Sequence, residues 1–293
     1  MAWDPRAGGP VRAPSHHPPT PPASLVSRPR LTGLLDRAVA LTLVVAPAGS
    51  GKTVLAADWV HARRASGQPV LWVIATDAGT LLPALASAAG VPAEALDEVR
   101  RTYDEAPDEV AETLRAHATP GTQPAPIVID DAHHLPPDSV GLLGRLLATA
   151  PELLRLVLLT RRDLPLPLVP LDLAGQLVMV RAGQLCFDDD DAGDLVRSHA
   201  PRATAADVTQ LQEHTKGWAA ALILAARALD AADDPPDRPP DDAVHGAAGA
   251  GLPAERVPRG PLRGHPAGAR RDLPRDRRDG RVRRGPVGAP RCR

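Results

Sequence analysis

The stretch VVAPAGSGKTVLAADW, residues 44–59, decides how the rest of the chain is read. An apolar run tightens into Gly49-Ser50-Gly51 and then continues as an amphipathic segment led by Lys52 and Thr53. Successive backbone N–H groups in such a turn, at a helix N-terminus, cradle a phosphate; a lysine reaches the outer phosphates and a hydroxyl ligates Mg2+. The residues expected to do this are Ala48, Gly49, Ser50, Gly51, Lys52 and Thr53, with Thr53 as the metal ligand. The strict pattern places glycine at position 46, where this chain has Ala46. The flanks make up for that departure. LTLVVA (41–46) is a continuous apolar run, as a buried parallel strand requires, and KTVLAADWVHARR (52–64) carries Leu55, Trp59 and Val60 at helical spacing. The plain alternative is an ordinary glycine-rich turn between a strand and a helix.

Composition sharpens the choice. The 293 residues contain two lysines, Lys52 and Lys216, against 32 arginines, and no asparagine. GC-rich coding exchanges Lys for Arg wherever either serves, so a lysine kept inside the glycine loop is unlikely to be incidental. The formal charge of −1 hides a split: 14 Arg face 7 acids from Pro235 onward, while the remainder holds 20 basic and 28 acidic residues. Cys186 and Cys292 are too few for a disulfide framework or a zinc site, which makes a reducing compartment the expectation. No basic start leads into a 7–15-residue apolar core, and no apolar run approaches the roughly 20 residues that span a bilayer. A cytoplasmic protein with no membrane partner is expected.

Outward from the loop, strands and helices alternate. Helices are expected over 31–39, 52–64, 79–90 and 139–150, and over 93–118 on both sides of a break near Pro107. Strands are expected over 41–46, 69–75, 125–135, 154–163 and 176–182. Apolar strands in such alternation imply an α/β fold, a P-loop NTPase parallel sheet covered by helices on both faces. After Cys186 the strands stop. Residues 188–200 place acids at a helix N-terminus, and 205–232 read as two helices joined near Gly217. The expected domains are a nucleotide-binding domain over 24–185 and a small, incomplete helical lid over 186–234. Residues 1–23, rich in Pro, Gly and His, form a disordered or extended lead-in. Residues 235–293 have no Phe, Ile, Met, Trp or Tyr and are expected to be disordered.

Three further groups carry chemistry. IVIDD ends a strand with Asp130 and Asp131: Asp130 is placed to hold Mg2+ and Asp131 to polarise the attacking water, the plain alternative being two solvated acids. In LLTRRD, Arg161 is the better-placed cation to sense a terminal phosphate, with Arg162 next and two surface arginines as the plain alternative. His133 and His134, adjacent on a strand, would point to opposite sides and could not chelate a metal together, so a structural role is expected. The Arg-rich end, without aromatic residues or a reading helix, suggests at most non-specific nucleic-acid binding at low salt.

Together these pieces, from LVSRPRLTGLLDRAV (25–39) through APAGSGKT (46–53), DDAHHL (130–135) and LLTRRD (158–163) to KGWAAALILAA (216–226), resemble the ATPase region of MalT-like regulators of the LuxR type, within the STAND class. The resemblance covers about Leu25 to Leu229. It implies that alanine is usual at position 46, that His133 matches the family's histidine and that Arg161 matches the sensor arginine. Ala219 stands where related proteins often have proline. The resemblance further implies ATP/ADP and Mg2+ as cofactors, slow hydrolysis serving a switch, and self-association in the ATP state. Inducer-binding repeats and a DNA-binding helix-turn-helix would belong to such a regulator; this chain is expected to lack both and so to make no sequence-specific DNA contact. Arg, Pro, Gly and Ala have GC-rich codons, so a frameshift or early termination after about residue 234 is one expectation for the last segment. The alternative functions are a free-standing P-loop ATPase, or a kinase passing phosphate to a small acceptor. For the kinase, residues 186–234 offer Arg197, Arg202, Lys216 and Arg227 as lid cations, a thin set.

Overall fold

The computed structural model describes residues 16–76, 78–118, 121 and 123–233. Residues 1–15 of the lead-in and the whole of 235–293 lie outside the described residues, so the disorder expected of them does too. Five parallel strands, β1 (Leu41–Val45), β2 (Leu71–Ile74), β3 (Ile127–Asp130), β4 (Leu156–Thr160) and β5 (Leu177–Arg181), form one sheet in the order β2-β3-β4-β1-β5. In register, Val44 lies beside Leu159 and Val180, so the C-terminal ends of the three strands around β1 align. The loop after β1 therefore opens at the carboxyl edge of the sheet, where ligands of open α/β folds bind.

Strand side chains alternate between two cores, as a period of two dictates. Leu41, Leu43, Ile127, Ile129, Leu156 and Leu158 face one side. There they meet α3 (Leu81–Ala88), α4 (Leu96–Glu105), α5 (Val110–His117), α6 (Pro137–Thr149) and α7 (Leu168–Leu173). Val44, Val128, Val157, Leu159, Val178 and Val180 face the other, against α1 (Pro29–Leu35), α2 (Lys52–Ala65) and α8 (Ala182–Leu185). Burial on both faces explains why the strands read as unbroken apolar runs. The α/β parallel sheet covered on both faces is thus the fold. A third cluster lies apart: Leu195, Val196, Val208, Leu222 and Ala226 join α9 (Asp189–His199), α10 (Ala205–Thr215) and α11 (Ala219–Asp233).

Local chemistry sets these helix ends. The Asp188 side chain accepts from the Asp191 N–H and three acids fill the first turn of α9, while Thr204 and Asp207 form a reciprocal cap on α10. Gly217 has φ +74, and a Cβ there would lie 2.2 Å from the Phe187 carbonyl oxygen, so glycine is required between α10 and α11.

Two features differ from the sequence reading. His133 and His134 sit on a tight turn over Ala132–His134 rather than on the strand, and their rings lie 4.1 Å apart instead of on opposite sides. The strand ends at Asp130 because Asp131 turns left-handed, at φ 51. Secondly, α7 starts inside the Pro/Leu run 164–171 and ends at Leu173, where no element was expected; its Pro170 sits in the first turn, whose N–H groups need no helical partner. Of the lead-in, expected to be disordered or extended, residues 16–22 are described. That segment is extended, with the His16 N–H donating to the Trp72 carbonyl (2.8 Å) and the Pro19 carbonyl 3.2 Å from His61 Nε2.

Candidate functional site

The loop between β1 and α2 is left-handed at two points, Gly49 (φ 76) and Gly51 (φ 86), which aligns the N–H groups opening α2. Ser50 Oγ donates to the Pro47 carbonyl (2.9 Å) and closes the turn. Lys52, buried at 7% exposure, folds back so that Nζ donates to the carbonyls of Ala46 and Pro47, both at 2.8 Å. Burial lowers the Lys52 pKa first and Arg161 nearby lowers it further, against the raising effect of Asp131 and Asp130. An anion entering the loop would oppose that lowering.

The acids come from the neighbouring strand. Thr53 Oγ1 donates to Asp130 Oδ1 (3.1 Å), and the Asp131 N–H donates to the same oxygen (2.9 Å). Burial pushes the Asp130 pKa up, and the bond from Thr53 opposes it. Asp131 Oδ1 stands 3.8 Å from Arg161 and 3.8 Å from His133 Nδ1. The next strand thus brings Arg161 to the same place, whereas Arg162 turns away and donates to the His133 carbonyl (3.0 Å). Ala48, Gly49, Ser50, Gly51, Lys52, Thr53, Asp131 and Arg161 line one cavity of about 400 Å3, and Asp130 reaches it through Thr53. That volume falls in the range of ligand pockets.

Sequence reasoning missed the other end of this cavity. Pro22, Leu25, Val26, Phe187, Leu195 and Ile223 give it an apolar wall. Residues 22–28 form a strap pinned by Arg28, which donates to the carbonyls of Leu185 (2.6 Å) and Cys186 (2.9 Å). The same guanidinium pairs with Asp191 (3.5 Å) and lies 4.4 Å from the centre of the Phe187 ring. The signal was faint: Arg28 is one of two arginines in SLVSRPR (24–30), a stretch with no pattern of its own. The first turn of α11 closes onto the loop, its Ala220 N–H donating to the Gly49 carbonyl (3.0 Å). Ala219 lines the cavity.

A parallel sheet whose first strand feeds a Gly-Ser-Gly-Lys-Thr loop, with an acid of a neighbouring strand bonded to that threonine, is a P-loop NTPase. Comparison narrows the class: residues 37–166 match the model of an AAA domain. The chain is 32% identical over 238 residues to the serine/threonine-protein kinase PknK of Mycobacterium tuberculosis, covering 77% of this chain and 21% of that protein. It is 33% identical over 201 residues to the HTH-type transcriptional regulator MalT of Serratia proteamaculans, covering 64% of this chain and 21% of that one. The chain therefore spans about a fifth of the length of these relatives. Among solved structures, a STAND protein with a tetratricopeptide repeat sensor from Pyrococcus horikoshii aligns with a TM-score of 0.47 at 18% identity, over 69% of this chain and 29% of that one. Residues 37–166 are thus an AAA-type P-loop domain, and the chain is a relative of the MalT-like regulators its motifs resemble. No described helix is long and apolar enough to cross a membrane.

Proposed function

We propose that this chain binds ATP with Mg2+ and hydrolyses it slowly, as the switch module of a MalT-like regulator. The observation that carries the reading is the Ala220–Gly49 bond, which ties the lid helix directly to the phosphate loop. A nucleotide held by that loop meets the lid in the same cavity, so occupancy and lid position are coupled. The overlap of two differently named relatives on this region supports a shared module rather than the particular activity of either.

The residues present fit the implied groups. The N–H groups of Gly49–Thr53 would take the phosphates, and Lys52 would turn from its two carbonyls to the outer ones. No cluster of three or more His, Cys, Asp or Glu occurs among the described residues. A pair such as Thr53 and Asp130 suits Mg2+, which keeps several waters and binds through one or two carboxylates plus phosphate oxygens. When bound, Mg2+ would neutralise phosphate charge. Asp131 would accept a proton from water and Arg161 would face the terminal phosphate. The apolar end, walled by Leu25, Val26 and Ile223, suits a purine base. ATP occupancy would favour self-association. In this reading the nucleotide site, residues 24–185, is followed by a lid over 186–234 that is incomplete as a domain.

Product analysis tests the reading. Incubation with MgATP is expected to give ADP and free phosphate at a low rate, in a cytoplasm-like buffer and without an acceptor. A phosphorylated small acceptor would instead establish the kinase alternative.

A further inference from the structure

His133 is the buried polar group of the cleft to which the proposed chemistry gives no task. Its side chain is nine-tenths buried, and Nδ1 has no hydrogen-bond partner. The turn that carries it is tied down: the His134 N–H donates to the Asp131 carbonyl (2.9 Å) and Arg162 donates to the His133 carbonyl (3.0 Å). Nδ1 faces Asp131 Oδ1 at 3.8 Å, and Arg161 stands 3.8 Å from the same oxygen. One carboxylate oxygen is therefore shared by two donors, each a few tenths of an ångström too far for a hydrogen bond. Arg161 is half-exposed and lines the cavity.

We propose that His133 positions Asp131 for proton abstraction, its Nδ1–H taking Oδ1 when Arg161 leaves that oxygen for the terminal phosphate of a bound nucleoside triphosphate. The inference rests on the reading of Asp131 as the group that activates water. In the step itself, water gives one proton to the free Asp131 oxygen. Its oxygen bonds to the terminal phosphorus, the bridging P–O bond breaks, and the electron pair leaves with ADP. The proton then passes from Asp131 to solvent, and His133 keeps its own throughout. A positively charged ring would make Asp131 a poorer base. Burial first, then His134, Arg161 and Arg162, lower the His133 pKa from its ordinary value, with Asp131 alone opposing them, so the neutral ring is favoured.

The experiment measures MgATP affinity and single-turnover phosphate release for the full chain and four variants. His133→Phe keeps the ring volume and removes the donor; His133→Asn restores a donor at a similar reach. Asp131→Asn and the double variant Asp131→Asn/His133→Phe complete a cycle. Expected is unchanged MgATP affinity in His133→Phe with release slowed about ten- to a hundredfold, the usual loss when a group that orients a functional residue is removed. Partial recovery in His133→Asn, and no further loss in the double variant, are also expected. Losses that multiply in the double variant would overturn the proposal, as would wild-type release by His133→Phe. Asp131→Asn reports separately: normal release there would sink the parent reading, while slow release there beside a normal His133→Phe would sink this inference alone. Should His133→Phe bind no MgATP, His133→Leu takes its place in the cycle, and multiplying losses again decide against it.

Discussion

The two walls of the nucleotide cleft are built on different principles. The phosphate wall is backbone: a left-handed loop fixed between β1 and α2, with one lysine, one threonine and one acid placed by strand order. The lid wall is side chain: apolar residues from the strap, from Phe187 and from two helices, α9 and α11, held by Arg28 and by the Ala220–Gly49 bond. A wall made of backbone tolerates little variation in position, because its donors exist only in that conformation. A wall made of side chains can shift as a body when its few ties loosen. The difference teaches where the proposed switch would reside: the loop would recognise, and the lid would move.

The largest expected effect lies on the phosphate wall. Lys52→Ala should weaken MgATP binding roughly ten- to a hundredfold, since a charge-assisted contact contributes on the order of 1.5–3 kcal/mol. Equilibrium titration reads it, and an unchanged affinity would remove the phosphate wall from the comparison altogether.

On the lid wall, Arg28→Ala should destabilise the protein by about 2–3 kcal/mol in denaturant unfolding, because two carbonyls and Asp191 lose their partner where little water reaches. Arg28→Lys should recover little, since one ammonium cannot reproduce the fork over two carbonyls and a ring. Full recovery by lysine would reduce Arg28 to a plain charge.

The contact between the walls has its own test. Gly49→Ala meets backbone strain at φ 76 and a clash, its Cβ falling 2.8 Å from Ala220 Cβ. Gly67→Ala meets the same strain at φ 75 with open space around it. Each should cost about 1–2 kcal/mol for the left-handed backbone, and Gly49→Ala alone should also speed hydrogen exchange at the Ala220 amide. Equal exchange in both variants would mean that the lid does not rest on the loop.

The smallest effect concerns charge. Burial raises the Asp130 pKa above 3.8, so the stabilising form is the protonated one. Its contribution is complete below the ordinary value and is lost as pH rises through the raised one. Asp130→Asn keeps the acceptor oxygen for Thr53 and removes the charge. Without nucleotide it should therefore melt higher than wild type at pH 7, and the difference should vanish in acid. Because the group is only partly buried, screening limits the gain to about 1–2 °C. A lower melting point at pH 7 would show that the carboxylate supports the empty site.

The phosphate wall was legible because its chemistry is local. Gly49, Gly51, Lys52 and Thr53 are consecutive or nearly so, and the strand and helix around them carry periods of their own. Asp131 and Arg161 were found at strand ends, where chain position predicts place in the fold. The turn over Ala132–His134 was misread, because a single left-handed residue ends the strand one position before the second acid, and nothing in the identity of Asp131 announces it. Arg28 passed unnoticed because its partners, Leu185, Cys186 and Asp191, lie more than 150 residues away and two of them are carbonyls, which every residue has.

The sequence by itself determined the sheet, its alternation with helices, the loop and the family, since each depends on residue type at short spacing. Only the tertiary structure decided that the strap walls the cleft, that Arg162 turns to the His133 carbonyl, and that His133 stands beside Asp131. Those arrangements depend on which distant backbones meet, and packing of two cores against one sheet, rather than any local preference, sets those meetings.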